Sequence, residues 1–137
     1  MTPAETISAR LQRLESYLQL LEGFRTEPRS ALLGDPVRRG ALERYLQLAI
    51  EALLDIGNHL LAGRGLERPE TYADVFRLLC EADLLSEALL EESIGMAGFR
   101  NLLVHDYMRL EPEKLGEILD TKLEVMRQLA STFARQI

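Results

Sequence analysis

The stretch Met96-Ala97-Gly98-Phe99-Arg100-Asn101-Leu102-Leu103-Val104-His105-Asp106-Tyr107 sets an arginine, an amide, an imidazole and a phenol at fixed spacing inside an apolar run. On a regular helix Arg100 and Tyr107, seven residues apart, lie roughly 10 Å from each other along the axis and share a face. Asn101 and His105, four apart, form a second row beside them, and Leu102, Leu103 and Val104 supply apolar surface elsewhere. Arginine clamps phosphoryl oxygens in a planar fork, and histidine moves protons near neutrality. The set suits a phosphate diester better than a metal ion. The two histidines, His59 and His105, are far apart in the chain, with no H-x-x-x-H or carboxylate-x-x-histidine pair and no glycine-rich phosphate loop followed by lysine. A site without metal or cofactor is expected. A plainer reading competes, because arginine and histidine near a helix C-terminus also satisfy the last carbonyls and complement the macrodipole. On residue types alone that plainer reading is the stronger.

The elements that must position these residues read as five helices. From about Glu5 to Gly23, Ile7, Leu11, Leu14, Leu18 and Leu21 recur at alternating steps of four and three, which predicts an amphipathic helix. Phe24 to Gly34 loses that period around Pro28 and Ser30 and reads as a connection. Asp35 and Pro36 then open a second helix, one as cap and the other preorganised for the first turn, running to about Ala62 before Gly63-Arg64-Gly65 ends it. Thr71 and Asp74 resemble a weak capping box for a short third helix over Tyr72, Val75, Phe76 and Leu79. Ser86 caps a fourth, expected to continue to about His105 with the polar stretch at its C-terminal end. Pro112 starts a fifth, with Leu115, Leu119, Leu123, Met126, Ala130 and Phe133 at heptad-like spacing. No segment alternates like a strand, so the predicted fold class is all-α: an antiparallel helical bundle of four long helices plus one short one, in a single domain over residues 1–137.

Within these helices, Gly95 and Gly98 share a face, and each costs about 1 kcal/mol relative to alanine inside a helix. Close approach of another helix, in this chain or a second copy, is the simplest compensation. On the second helix Arg44, Gln47, Glu51, Asp55 and Asn58 form a polar stripe at steps of three and four, as any solvated face would. His59 reads equally well as a half-buried structural histidine, and Cys80, among Leu78, Leu79 and Ala82, as core.

R-x-x-x-x-H-x-Y, carried here by Arg100, His105 and Tyr107 within MAGFRNLLVHDY, resembles the signature of the HepT-type toxins, a branch of the all-helical HEPN superfamily. Asp55-Ile56-Gly57-Asn58-His59 is similar to a phrase that family carries in its preceding long helix, so the resemblance runs across most of the chain. It implies a ribonuclease toxin of a toxin–antitoxin pair, with Arg100 and His105 catalytic and Asp55, Asn58 and Asn101 supporting the site. It implies RNA cleavage without metal, the neighbouring 2′-hydroxyl being the nucleophile, in a homodimer that brings two copies of the motif to a shared cleft. It also marks Tyr107 as the residue to which a minimal nucleotidyltransferase antitoxin attaches AMP. With that phrase the functional reading outweighs the plain one. A second reading is a non-catalytic nucleotide- or substrate-binding subunit of a two-component nucleotidyltransferase, and a third is a helical scaffold with no small-molecule site.

Composition is compatible with these readings and narrows them. The 137 residues fit one domain, and a 47% hydrophobic share is ample for one core. A net charge of -6 and a pI near 5.0 argue against a general nucleic-acid-coating surface, which needs clustered lysine and arginine, so any RNA contact must be local. One cysteine can form neither an internal disulfide nor a thiolate cluster, and there is no basic-plus-apolar leader. A cytoplasmic protein is expected. No apolar run approaches the roughly 20 residues that span a bilayer.

Overall fold

The computed structural model describes all 137 residues. It is all-helical: α1 Pro3–Arg25, α2 Arg29–Gly34, α3 Pro36–Gly63, α4 Tyr72–Glu81, α5 Glu87–Ser93, α6 Met96–His105, a 3-10 turn Tyr107–Arg109, and α7 Pro112–Ala134. Local signals set most of the boundaries. Thr2 and Glu5 form a full capping box on α1, and the Asp35 side chain accepts from the Val37 amide ahead of α3. Pro36 and Pro112 occupy the first turns of α3 and α7, where no intrahelical donor is lost.

The bundle is organised around α3, which packs against every other helix except α5 to a substantial degree. Tyr17 lies beside Tyr45 and Arg10 beside Asp55, so α1 runs antiparallel to α3. Arg25 reaches Asp120 and Arg127 reaches Glu15, so α1 also runs antiparallel to α7. Ile7, Leu14, Leu18 and Leu21 of α1 face Leu42, Leu46, Ile50, Leu53 and Leu54 of α3 and Leu119, Leu123, Met126 and Phe133 of α7 in one continuous core. Each such leucine removed from water contributes about 1.5–3 kcal/mol. Cys80 sits partly buried against this core.

Two local expectations differ from the structure. Arg29–Gly34, read as part of a connection, forms the short helix α2 and buries Leu32; six residues are too few to display a 3.6-residue period. The fourth helix is not continuous to His105 but is divided at Ile94 and Gly95 into α5 and α6. Buried Ser93 turns its hydroxyl back to the Leu89 carbonyl at 2.7 Å, a bond that loosens the ladder, and Gly95 stands two residues on. The division has a packing cause as well, since α5 packs on α4 and α7 while α6 packs on α3 and α4. No helix is long and apolar enough to cross a membrane.

Gly57, inside the Asp55–His59 phrase, lies tight against Val75 and Leu79 of α4. A Cβ built there would lie 2.6 Å from Val75 Cγ1 and 3.1 Å from Leu79 Cδ1. Nothing lies within 4 Å of the same atom at Gly95 or Gly98, so the expected helix approach on that face does not occur within the chain. The glycine that permits a close crossing is therefore Gly57, and the crossing carries Tyr72 toward α6.

Candidate active site

Arg100 projects from the middle of α6 toward α3 and is largely buried, its side chain 16% exposed. Its Nε and Nη2 donate to the same Glu51 oxygen, Oε2, at 2.9 and 2.8 Å, and Nη1 donates to Asn101 Oδ1 at 3.1 Å. The guanidinium carbon also stands 4.8 Å from the centroid of the Tyr72 ring, a cation–π contact worth about 0.5–1 kcal/mol at a partly exposed position. Glu51 thus holds the side edge of the guanidinium, formed by Nε and Nη2. The terminal edge, formed by Nη1 and Nη2, keeps one N–H on each nitrogen for another acceptor.

His105 is the last residue of α6 and is exposed. The helix stops there: Asp106 still donates to the Leu102 carbonyl, but its backbone has left the helical region at φ -148° and ψ 38°. Two i to i+3 bonds follow, from Arg109 to Asp106 and from Leu110 to Tyr107. Leu110 turns into the core, and Arg39 of α3 pins its carbonyl at 2.7 Å. Tyr107 consequently sits on the 3-10 turn, 60% exposed, and does not continue the helical face of Arg100 as the spacing predicted. The turn frees the phenol from the bundle instead of packing it at the helix end.

Asp55, which the resemblance implies as a supporting residue of the site, pairs with Arg10 of α1 and not with Arg100. Arg10 Nε lies 3.0 Å from Asp55 Oδ2 without well-directed hydrogen-bond geometry, and His59 Nε2 lies 3.8 Å from Asp55 Oδ1. Asn58 and His59 line a cleft of about 640 Å³ between the end of α3 and the loop before α4. A second cleft of about 540 Å³ contains Arg10, Arg13, Tyr17 and Glu51, and Asp55 and Tyr72 form a wall common to both. The structure therefore brings Arg100, Asn101, Glu51 and Tyr72 together, and places Asp55, Asn58 and His59 along the same face of α3 without contact to the guanidinium.

Two members of this arrangement were not distinguished in the sequence. Glu51 belonged to a polar stripe that any solvated helix face would show, and its one distinguishing feature is its position four residues before Asp55. Tyr72 stands in the sequence as one of the apolar positions of α4. Its position is set by the start of that helix, where Asp74 accepts from Arg77 Nη2 at 2.7 Å and from Thr71 Oγ1 at 3.1 Å. These bonds, led by that from Arg77, hold the Asp74 carboxyl below its ordinary range, and Asp74 and Glu81 raise Arg77. The Thr71 hydroxyl is engaged by Asp74 and does not cap the backbone. No group of three or more histidine, cysteine, aspartate or glutamate side chains is close enough together to hold a metal ion.

Comparison with known proteins bears on this geometry. Residues 12–133 match the family described as Ribonuclease HepT-like. The chain is 34% identical over 83 residues to the mRNA nuclease HepT of Shewanella oneidensis, an alignment spanning 61% of this chain and 62% of that protein. It is 28% identical over 109 residues to the tRNA nuclease HepT of Aphanizomenon flos-aquae, spanning 80% of this chain and 74% of that one. Among solved structures, the tri-AMPylated Shewanella oneidensis HEPN toxin in complex with MNT antitoxin superposes with a TM-score of 0.78 at 25% identity, over 96% of both chains. With a match running from α1 to α7 and the MAGFRNLLVHDY stretch inside it, the chain belongs to the Ribonuclease HepT-like family.

Proposed function

We propose that this protein is a metal-independent endoribonuclease, the toxin of a pair whose antitoxin is a minimal nucleotidyltransferase, acting in the cytoplasm. The observation that carries the reading is the oriented Arg100 guanidinium, with a free terminal edge, on the helix that ends in exposed His105. In the reaction the 2′-hydroxyl oxygen of RNA attacks the adjacent phosphorus, its proton passing to a base. The bond from phosphorus to the 5′-oxygen breaks, and that oxygen takes a proton from an acid. The products are a 2′,3′-cyclic phosphate and a 5′-hydroxyl end.

His105 is the proton-transfer group, a role worth about 10²- to 10⁴-fold in rate. Arg100 stabilises the charge gathering on the phosphorane oxygens, an effect worth about 10²- to 10³-fold per donor. Asn101 shares the same helix and holds Nη1 of Arg100. One imidazole does not easily serve as base and acid in a single in-line step, so the active species is a homodimer in which two copies supply His105 to one cleft. The exposed Gly95 and Gly98, with no neighbour within 4 Å, offer a close-approach face for the second copy. Exposed Tyr107 is the site where the antitoxin attaches AMP. The added phosphodiester would compete for Arg100, and the adenosine would fill the cleft, so local electrostatics and volume suffice to silence the toxin.

The test is expression of the wild type and Arg100→Ala, each with and without the nucleotidyltransferase, scored for growth and RNA integrity. Wild type alone should arrest growth and fragment RNA, and Arg100→Ala should do neither. Intact RNA beside well-folded wild-type protein that binds nucleotide would favour the binding-subunit reading. Sedimentation at micromolar concentration should show a dimer, and a strictly monomeric protein that still cleaves would remove the shared cleft.

A further inference from the structure

The cleft of about 640 Å³ between the end of α3 and the start of α4 is lined by Asp55, Asn58, His59, Arg68, Glu70 and Tyr72 among others, and by neither Arg100 nor His105. The chemistry assigned above does not use it. His59 lies eight residues beyond Glu51 on α3, roughly 12 Å along the axis, so its imidazole is placed for a neighbouring nucleotide and not for the phosphate held by Arg100. Asn58, Arg68 and Glu70 make no side-chain hydrogen bond or ion pair within the chain, and Asp55 is the one charged partner of His59, at 3.8 Å. Tyr72 is 40% exposed and links the cleft to the reacting centre through its contact with Arg100.

We propose that this cleft is a nucleobase subsite: resting on the ribonuclease reading above, it takes the base of a nucleotide next to the scissile phosphate and prefers amino-bearing bases to uracil. Unpaired RNA is recognised by stacking bases on aromatic or guanidinium planes and by hydrogen bonds to their Watson–Crick edges. Tyr72 provides the ring, and the polar wall provides the edge contacts. Two carboxylates, Asp55 and Glu70, only accept hydrogen bonds when ionised, and the Asn58 amide carbonyl accepts as well. An exocyclic amino group of adenine, cytosine or guanine donates to such a wall. Uracil has no amino group, and its single edge donor, N3–H, lies between two carbonyl oxygens that would face the carboxylates. The same acids argue against a phosphate as the occupant, because the lining sets two carboxylates, Asp55 and Glu70, against the one guanidinium of Arg68, whereas a phosphate site concentrates donors and cations.

The experiment uses the full chain and three free nucleosides, adenosine, cytidine and uridine, which carry no phosphate and cannot be cleaved. NMR follows the Asn58 side-chain amide and the His59 imidazole. Adenosine and cytidine should shift both signals, with uridine at least about tenfold weaker. Tyr72→Leu should weaken adenosine binding by about tenfold, and Glu70→Ala should cut the gap between cytidine and uridine to less than about threefold. Uridine binding as well as cytidine, or nucleosides that shift neither signal, would overturn the subsite. The two readings fail separately: nucleoside binding here without RNA cleavage removes the nuclease, and cleavage without nucleoside shifts removes the subsite.

Discussion

Arg100 and Glu51 lie on different helices, forty-nine positions apart in the chain, and both Nε and Nη2 of the guanidinium converge on one carboxylate oxygen. This clasp fixes the plane of the arginine before any substrate arrives. Its energetics follow from partial burial, 16% and 29% side-chain exposure for the two partners, where hydrogen bonds to charged groups retain about 1.5–3 kcal/mol.

Glu51→Ala should therefore destabilise the fold by about 1–2 kcal/mol and, by freeing the guanidinium, lower kcat by about tenfold with a smaller change in KM. Glu51→Gln, which keeps an acceptor, should recover part of the rate. Urea titration and single-turnover cleavage measure the two effects. Faster cleavage by Glu51→Ala would show that the carboxylate masks Arg100 instead of orienting it.

His105 separates chemistry from stability. Being exposed at the helix end, its replacement by alanine should change stability by less than about 0.5 kcal/mol while lowering the cleavage rate by about 10²-fold or more. Cleavage by the wild type should persist in EDTA. Activity lost to the chelator and restored by a divalent ion would count against a reaction run by Arg100 and His105 alone.

Gly57 connects packing to the site. An alanine methyl there meets Val75 Cγ1 of α4 at 2.6 Å and Leu79 Cδ1 at 3.1 Å, and a β-branched valine, stiff at χ1 in a helix, yields at a cost. Gly57→Ala should destabilise by about 1–3 kcal/mol and weaken the contact between Tyr72 and Arg100. Cleavage should fall with it, and a Gly57→Ala/Val75→Ala double variant, which makes room for the methyl, should regain rate. No recovery in a folded double variant would uncouple this crossing from catalysis.

Tyr107 offers the most direct measurement. Co-expressed with a minimal nucleotidyltransferase, the wild type should gain mass corresponding to attached AMP, and Tyr107→Phe should not. Because the phenol is 60% exposed on the 3-10 turn, Tyr107→Phe should fold normally and escape silencing. An unmodified wild type that is nevertheless neutralised would indicate inhibition by complex formation.

The sequence by itself determined the all-helical fold, all five helix starts it predicted to within two residues, and the MAGFRNLLVHDY stretch, because caps, prolines and a 3.6-residue apolar period are local properties of the chain. Local patterns also placed Arg100, Asn101 and His105 on one helix. Tertiary packing alone decided what those patterns could not carry. Ser93 and Gly95 permit a break, but it is the different partners of α5 and α6 that use it. Leu110 entering the core, with its carbonyl pinned by Arg39, turns Tyr107 off the helical face that spacing had given it. Glu51 and Asp55 are both acids on the same face of α3. Which of them meets Arg100 and which meets Arg10 depends on where α6 and α1 cross that face, and those crossings are fixed by side-chain packing between helices distant in sequence.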